Sequence, residues 1–436
     1  MTETLTHKKI FRFWLPLSAT WLMMSFEGPF LTAIIARMDG QAFNLAAYGV
    51  AYTIALIIES PVIMMLSAST TLVENKQTFL KLRQFVYLTN IAVTVAMLIF
   101  LIPPIYDFIA VKLINLPMPV AKLSYTSCIL LIPWAPSIGY RRFYQGILIK
   151  QGKTRHVAYG TAVRMVTMVL TALILFLFSN IEGAEVGAAA LSIGVILEAI
   201  AVKLMTNPTI KKILREEDPA NKNLSYNEIF KFYYPLALTS FISLGFQPVV
   251  IFFIGQSRNS LESLAVLPVI NSLVFLWRSL GLSIPEVVIA LIKTNKEFIV
   301  LKSFAERLSV AVVATLGIIT FTPLSDLWLI KISGLSPQLA SFSKLSLMLY
   351  TIFPALTVWI NFQRAVLIYS RKTNPLTLGI LIEVFGMLAL IYPAVIYFNI
   401  VGVVAAVISL TIGRLAANFY LILPYKNAVK EISVNV

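Results

Sequence analysis

The stretch FRFWLPLSATWLMMSFEGPFLTAIIA covers residues 11–36, and its length and composition decide the fold class. About 20 predominantly apolar residues form a helix long enough to cross the ~30 Å hydrocarbon core of a bilayer. Residues 12–36 therefore predict a transmembrane helix. Two prolines, Pro16 and Pro29, and one acid, Glu27, lie inside it.

Segments like this one recur along the whole chain. Of the 436 residues, 58% are hydrophobic and only 13% are charged, which leaves no room for a soluble domain. We predict an all-α polytopic membrane protein. Its twelve transmembrane helices are expected at 12–36, 46–70, 84–104, 123–148, 157–179, 186–207, 230–254, 262–291, 305–324, 340–368, 375–398 and 400–424.

The basic residues predict the orientation of these helices. Most of the 35 Lys and Arg fall in the gaps and tails on one side, among them Lys8, Lys9, Lys76, Lys150, Lys153, Arg155, Lys211, Lys212, Lys293, Arg371 and Lys372. The gaps on the other side hold Arg37, Lys112, Lys122, Arg258, Lys331 and Lys344. Because cytoplasmic loops are enriched in Lys and Arg, both termini are expected in the cytoplasm. This asymmetry also accounts for much of the net charge of +15, so we expect no nucleic-acid partner.

An internal repeat divides the chain near its middle. We predict a first lobe at 1–208 with helices 1–6, a cytoplasmic linker at 209–229, and a second lobe at 230–436 with helices 7–12. At an offset of about 219 residues, FRFWLPL (11–17) matches FKFYYPL (230–236), PIYDF (104–108) matches PLSDL (323–327) and QGILIKQGKT (145–154) matches RAVLIYSRKT (364–373). VGAAA (186–190) matches VGVVAA (401–406) after a slightly smaller shift. With six helices in each half, the two repeats share one orientation in the membrane.

Three motifs give the chain a family resemblance. The run LAAYGVAYTI (45–54), the end of helix 4 at YRRFYQGILIKQGKTR (140–155), and VGAAA (186–190) resemble the multidrug and toxic compound extrusion (MATE-like) fold of a flippase superfamily. The resemblance implies export by alternating access of two six-helix lobes around a central cavity, driven by protons or sodium. It also implies, as an alternative, a flippase for a lipid-linked oligosaccharide or another lipid precursor.

Three segments of the first lobe are similar to progressive ankylosis (Ank) proteins of the same superfamily. They are FEGPFLTAIIA (26–36), LAAYGVAY (45–52) and LVENKQTFLK (72–81). This likeness implies organic or phosphate-rich anions as cargo. We expect a monomeric plasma-membrane transporter whose cargo is an organic or phosphate-rich anion or a drug, with the lipid bilayer and a small-molecule or lipid substrate as its partners.

Glu27 is the candidate residue for cation coupling. A carboxylate at mid-helix is costly in a membrane, and the adjacent Gly28 and Pro29 free backbone carbonyls that favour a proton or sodium ion. The alternative is a structural carboxylate paired with an arginine of its lobe. Gln247 takes the equivalent position in helix 7, so we expect coupling to be asymmetric.

The remaining intramembrane charges are aligned with opposite signs by the repeat. Glu59 aligns with Arg278, Arg164 with Glu383, and Glu198 falls within one residue of Arg414. The interpretation that we favour is buried ion pairs within each lobe, carried by Arg164, Glu198, Glu383 and Arg414.

The alternative places Glu59 and Arg278 across a central cavity. That cavity would be lined also by Arg141, Arg142, Gln145, Arg364 and Gln247. Arginine binds carboxylates and phosphates in bidentate fashion, so these residues favour an anion over a drug cation. For Arg141 and Arg142, extension toward lipid headgroups remains the competing interpretation.

Motifs for enzymatic chemistry are absent from the sequence. There is no phosphate-binding loop, HExxH, EF-hand loop or GxSxG, and the chain has one cysteine and two histidines, so we expect no catalytic residue, no metal site and no cofactor beyond a transported proton or sodium ion. An intramembrane enzyme and a regulatory scaffold remain the alternatives from other functional classes.

Overall fold

A computed structural model describes residues 5–215, 224–292, 294–370, 372 and 374–434. The described residues form twelve long helical segments. Helices 1 to 6 are His7–Ser25 with Glu27–Ile35, Gln41–Glu59 with Met65–Leu72, Lys76–Phe100, Met118–Leu130 with Trp134–Lys150, Thr154–Phe178, and Gly183–Arg215. Helices 7 to 12 are Tyr226–Gly255, Ser260–Leu282 with Ile284–Leu291, Asn295–Phe321, Pro337–Tyr350 with Phe353–Tyr369, Asn374–Ile396, and Gly402–Val434.

The prediction of an all-α polytopic membrane protein is confirmed. In the described part of the chain, ten helices are long and apolar enough to cross a membrane as they stand. Helices 1 and 4 are the two others, and each is divided. Helix 4 is interrupted just before Trp134, because Pro133 and Pro136 cannot donate backbone hydrogen bonds.

Several helix ends differ from the predicted ones. Helix 6 continues through Pro208 to Arg215 and helix 7 begins at Tyr226, so much of the predicted linker is helical. Residues 216–223 of that linker lie outside the described residues, as do Lys293 and Arg371. The gap after helix 3, predicted as a loop, contains the π-helix Phe108–Leu113.

The repeat has an offset of 219 positions throughout. Helix 3 begins at Lys76 and helix 9 at Asn295, and both starts carry a capping box. The π-helix Phe108–Leu113 recurs as Leu327–Ile332. The turn before helix 2 has a left-handed Gly40, and the turn before helix 8 has a left-handed Asn259. The two halves thus share their helix ends as well as their helices.

Helices 6 and 12 follow the same offset, and the smaller shift expected there is wrong. These helices begin at Gly183 and Gly402, so the matching VG pairs of the sequence are a coincidence of small residues. Glycines confirm the register at the helix crossings: a Cβ on Gly194 would meet the carbonyl oxygen of Arg164, and one on Gly413 would meet that of Glu383. In this register Arg414 corresponds to Val195. Glu198, with which Arg414 was expected to align, lies three residues further along helix 6, about one helical turn away.

The chain forms two compact units that do not coincide with lobes in chain order. One unit contains residues 1–37 and 253–436, and the other contains 38–252. Helix 1 therefore packs on helices of the second half, and most of helix 7 on helices of the first half. The 219-residue offset fits this exchange, because it relates helix 1 to helix 7.

Equivalent contacts hold the two exchanged helices. The Trp14 indole N–H donates to the Leu280 carbonyl at 3.1 Å, and the Tyr233 hydroxyl donates to the Pro61 carbonyl. Each of these rings also meets a phenylalanine edge-on, Trp14 against Phe304 and Tyr233 against Phe85. In each half, the first helix is thus held to its neighbours by an aromatic side chain that carries one polar group.

Candidate functional site

Helices 4, 5 and 6 bring charged side chains together around Glu198. Its side chain is fully buried, and its Oε2 accepts a hydrogen bond from Arg141 Nη1 at 2.5 Å. Arg164 Nε lies 3.6 Å from the same oxygen, while Gln145 Nε2 donates to the other oxygen at 3.2 Å. One buried carboxylate therefore binds three side chains from two neighbouring helices.

The local sequence explains this convergence. Arg141 and Gln145 are four residues apart, so they lie on one face of helix 4. Helix 5 approaches helix 6 closely at Gly160, where a Cβ would lie 2.7 Å from Val202 and 3.6 Å from the Glu198 side chain. Removing one partner of such a buried pair typically costs about 3–5 kcal/mol.

Glu59 and Arg142 extend this group of charges. Glu59 ends the first segment of helix 2 with 5% of its surface exposed, in the electrostatic field of Arg142, Arg141 and Arg164. Its Oε2 is buried without a hydrogen-bond partner among the described residues. We call the group of Glu59, Arg141, Arg142, Gln145, Arg164 and Glu198 the first cluster; it contains three guanidinium groups and two carboxylates.

The second half contains a corresponding group around Glu383 of helix 11. Arg414 Nε and Nη2 each lie 2.6 Å from Glu383 Oε1, and Arg364 Nη2 lies 3.8 Å from Oε2. Arg414 also donates to Thr357 Oγ1 at 3.2 Å.

Arg278 completes this second group through an aromatic contact. Its guanidinium carbon lies 4.9 Å from the centre of the Phe353 ring, and that of Arg414 lies 4.8 Å from the same ring. Such cation–π contacts stabilise a charge without neutralising it. We call Arg278, Arg364, Glu383 and Arg414 the second cluster; it contains three guanidinium groups and one carboxylate.

Both clusters contain more guanidinium groups than carboxylates. Each can therefore attract an anion, since guanidinium groups form bidentate hydrogen bonds with carboxylate and phosphate oxygens. Among the described residues, no group of three His, Cys, Asp or Glu side chains is placed to hold a metal ion.

Several predicted site residues lie in these clusters in a different arrangement from the expected one. Arg141 is buried and hydrogen-bonded to Glu198, so it does not extend to lipid headgroups. Arg364 contacts Glu383. Glu59 and Arg278 belong to different compact units, and each lies in the cluster of its own unit.

Glu27 lies where helix 1 is interrupted. It is half-buried and opens the segment Glu27–Ile35, and Pro29 has no N–H to donate to the carbonyl of Ser25. A Cβ on the adjacent Gly28 would lie 2.9 Å from the Cβ of Ser272, so helix 1 and helix 8 approach closely here.

Gln247 is half-buried in helix 7 next to Pro248. The 219-residue offset relates Gln247 to Gly28 and relates Phe246 to Glu27. The expected equivalence of Glu27 and Gln247 is therefore off by one residue, which is a rotation of about 100° on a helix. The two halves differ more at this position than the sequence match indicated.

A cavity in the first-half unit was missed by the sequence analysis. It has a volume of about 420 Å³ and lies between helices 3, 4 and 6. We call it the lateral crevice; it is lined by Asn90, Pro136, Ser137, Tyr140, Ile196, Ala199, Ile200, Lys203 and Leu204. The available signal was Lys203, a lysine inside the predicted span 186–207.

Comparison with known proteins gives similar structures and no sequence relative. No protein-family model matches the chain, and no curated protein matches it. An inward-facing MATE family multidrug resistance transporter of the MOP superfamily aligns with a TM-score of 0.74 and 13% identity, over 96% of this chain and 98% of that one.

Two further structures show the same fold. The lipid II flippase MurJ in an inward closed conformation has a TM-score of 0.71 and 15% identity, over 97% of this chain and 90% of that one. A MOP superfamily transporter from Pyrococcus furiosus Vc1, described by a reversed polarity of its binding pocket, has a TM-score of 0.63 and 15% identity, over 98% and 97%. The chain therefore has the MATE-like fold of a multi-pass membrane protein.

Proposed function

We propose that this protein is a secondary active transporter that moves an anionic solute across the membrane by alternating access of two six-helix lobes. The observation that supports the proposal is the excess of guanidinium groups over carboxylates in both clusters, where the arginines are buried or half-buried. An ionised side chain is costly inside a bilayer, so intramembrane charges typically mark a substrate or ion pathway.

The sign of the charges favours an anion as cargo. The second cluster carries three arginines, Arg278, Arg364 and Arg414, against the single carboxylate of Glu383. A carboxylate or phosphate entering near them would gain charge-assisted hydrogen bonds. A lipophilic cation would be repelled. The Pyrococcus furiosus transporter, for which a reversed pocket polarity suggests a different function, indicates that this fold accommodates pockets of different charge.

In this proposal Glu27 is the coupling residue. Pro29 removes the helical donor for the Ser25 carbonyl, and a carbonyl oxygen near a carboxylate can add a ligand to a proton or sodium site. We place Gln247, Glu59, Arg278, Arg141, Arg142, Gln145 and Arg364 along the cargo pathway. The pairs of Glu198 with Arg164 and of Glu383 with Arg414 hold the helices that carry it.

The proposed setting follows the distribution of basic residues. We place the monomeric protein in the plasma membrane with both termini in the cytoplasm, because Lys and Arg are enriched in the gaps on that side. Within the superfamily, we propose an Ank-like specificity for organic or phosphate-rich anions. We assign no enzymatic step and no cofactor.

A lipid flippase is the second candidate. The similar fold of the lipid II flippase MurJ supports it, and an arginine-rich pathway suits the phosphates of a lipid-linked precursor as well as a soluble anion. The two candidates differ in whether the cargo carries a lipid tail.

Uptake into proteoliposomes tests the proposal. Citrate, pyrophosphate and ATP are compared with ethidium under an imposed proton or sodium gradient, for the wild type, Glu27→Gln and Arg278→Gln. We expect gradient-driven uptake of at least one anion, loss of the gradient dependence in Glu27→Gln, and weaker uptake in Arg278→Gln. Glu306→Gln, whose side chain is 53% exposed, is the control.

Other outcomes would redirect the assignment. Transport of ethidium alone would contradict the anion proposal. Transport of no soluble compound, with accelerated movement of a fluorescent phospholipid between leaflets, would favour the flippase.

A further inference from the structure

The lateral crevice opens toward lipid. Two residues at its edge, Ile200 and Leu204, are 49% and 62% exposed. Exposed large apolar side chains on a membrane helix face the acyl chains of the bilayer. A molecule in the crevice therefore meets the surrounding lipid directly.

One lysine that lines the crevice, Lys203, and one arginine outside its lining, Arg83, lie at headgroup depth. Lys203 is 20 residues after the start of helix 6 at Gly183, which corresponds to about 30 Å along the helix, the thickness of the hydrocarbon core. Arg83 lies seven residues after the start of helix 3 at Lys76, close to the same end of the unit. Both charges are thus near the boundary at which phosphates begin.

Lys203 turns inward at this depth. Its ammonium lies 4.3 Å from the centre of the Tyr144 ring, and Tyr144 is fully buried. A lysine near a membrane boundary usually extends its ammonium toward water instead. The inward orientation keeps the charge at the wall of the crevice.

Arg83 supplies a second cation without a matching carboxylate. Its guanidinium lies over the Phe79 ring, its charge acts on Lys203, and its Nε has no hydrogen-bond partner in the described part of the chain. No carboxylate of the described residues forms an ion pair with either side chain. Two cations of the same region that are paired with no carboxylate favour a shared counterion.

A buried amide lies deeper along the same wall. Asn90 lines the crevice and is 8% exposed, and its Oδ1 accepts no hydrogen bond from a described residue. The N–H groups of a side-chain amide can donate to the ester carbonyls below a phosphate, which only accept hydrogen bonds. Apart from the hydroxyl groups of Ser137 and Tyr140, the rest of the wall is apolar, with Pro136, Ile196 and Ala199 among its residues.

We propose that the lateral crevice binds a glycerophospholipid with an anionic headgroup. Its phosphate lies against Lys203 and Arg83, its glycerol region reaches Asn90, and its acyl chain follows Ile196 and Ile200 into the bilayer. A soluble phosphate ester would satisfy the two cations but would leave the apolar wall uncovered. This site is separate from both clusters and does not depend on the proposed transport.

Lipid retention by the purified full-length protein tests the site. Native mass spectrometry is used to compare binding of phosphatidylglycerol and phosphatidylcholine to the wild type in detergent. We expect preferential binding of phosphatidylglycerol, and about a tenfold loss of its affinity in Lys203→Gln, the size of one lost charge-assisted hydrogen bond. Lys203→Arg should retain most of the affinity.

Two further variants separate the crevice from general surface charge. Lys211→Gln removes an exposed lysine from the same helix beyond the crevice and should leave lipid binding unchanged. Ala199→Leu reduces the space without changing charge and should weaken binding of both lipids. Each variant is first checked for a monodisperse profile. If Lys203→Gln does not fold, the single variants Lys203→Arg and Ala199→Leu provide the test.

Three results would overturn the proposal. One is equal retention of the two lipids by the wild type. Another is a loss in Lys211→Gln as large as that in Lys203→Gln, which would indicate only a diffuse surface attraction. The third is displacement of phosphatidylglycerol by millimolar glycerol phosphate, since that would identify a site for a soluble phosphate ester.

Discussion

The two halves of this protein share the positions of their helices, but at two equivalent positions inside the membrane they carry charges of opposite sign. Glu59 of the first half corresponds to Arg278 of the second, and Arg164 corresponds to Glu383. The central carboxylate of the first cluster is Glu198 on helix 6, whereas that of the second is Glu383 on helix 11. Helix ends and crossings are thus retained more strictly than the identity of the buried charges.

A physical reason explains this difference. Helix crossings depend on small residues at fixed positions, since a side chain there would collide with a backbone. A buried carboxylate depends only on having cations within reach, and long arginine side chains can approach it from several positions. The charges were therefore free to diverge while the helices were not.

The largest expected effect distinguishes the two carboxylates. Glu198→Gln leaves Arg141 and Arg164 without their buried counter-charge and should destabilise the protein by about 3–5 kcal/mol. Glu383→Gln should cost less, because the Glu383 side chain is 17% exposed and that of Glu198 is fully buried. Thermal unfolding in detergent is monitored as the loss of the monodisperse fraction. It shows which of the two substitutions destabilises the protein more. Equal losses would mean that burial does not control these pairs.

The helix crossings should also respond unequally. A Cβ on Gly413 would lie 2.6 Å from the carbonyl oxygen of Glu383, a backbone atom that cannot rotate away, whereas one on Gly194 finds its nearest atom at 3.1 Å. Gly413→Ala should destabilise by about 1–3 kcal/mol, as overpacking does, and Gly194→Ala by less. The same unfolding measurement checks this. Gly152→Ala is not a suitable control, because the positive φ of Gly152 would strain an alanine for a reason unrelated to helix packing. The reverse order would contradict the crossing geometry.

Arg364 offers a way to make the second cluster resemble the first. Its equivalent in the first half is Gln145, and its own contact with Glu383 is long at 3.8 Å. Arg364→Gln should therefore reduce anion uptake about tenfold, the loss of one charge-assisted interaction, with little change in stability. Proteoliposome uptake and thermal unfolding are measured on the same preparation. Unchanged uptake would remove Arg364 from the cargo pathway.

The smallest expected effect is common to the two halves. Trp14→Phe removes the hydrogen bond to the Leu280 carbonyl, and Tyr233→Phe removes the one to the Pro61 carbonyl. The lost hydrogen bond should cost about 1 kcal/mol in each variant, and Trp14→Phe should cost more in total because it also leaves part of the buried indole space empty. Thermal unfolding of the two single variants and of the double variant shows whether the losses are similar and additive. A larger loss in Tyr233→Phe than in Trp14→Phe would show that the exchanged helices are not held equivalently.

The two halves also differ outside the clusters. The lateral crevice is formed by helices 3, 4 and 6 of the first half around Lys203. The equivalent position in the second half, 219 residues later, is the uncharged Ile422. The lysine on which the anionic-lipid site depends is thus specific to the first half.

The sequence by itself determined the fold class, the twelve helices and the repeat. Hydrophobic length is a local property that any membrane helix must satisfy, and the repeat is a property of the chain order. The same local reasoning recognised that Glu198, Arg164, Glu383 and Arg414 lie inside the membrane, since apolar flanks identify a charge at helix centre.

Only the tertiary structure decided which of these charges meet. Partner choice depends on helix rotation and crossing, which a single sequence does not reveal, so Arg141 contacts Glu198 and Arg364 contacts Glu383 although both were assigned to a cavity. The exchange of helices 1 and 7 between the compact units is likewise a matter of packing. The lateral crevice needs three helices at once, and its residues, spread from Asn90 to Leu204 along the chain, have no common pattern in the sequence.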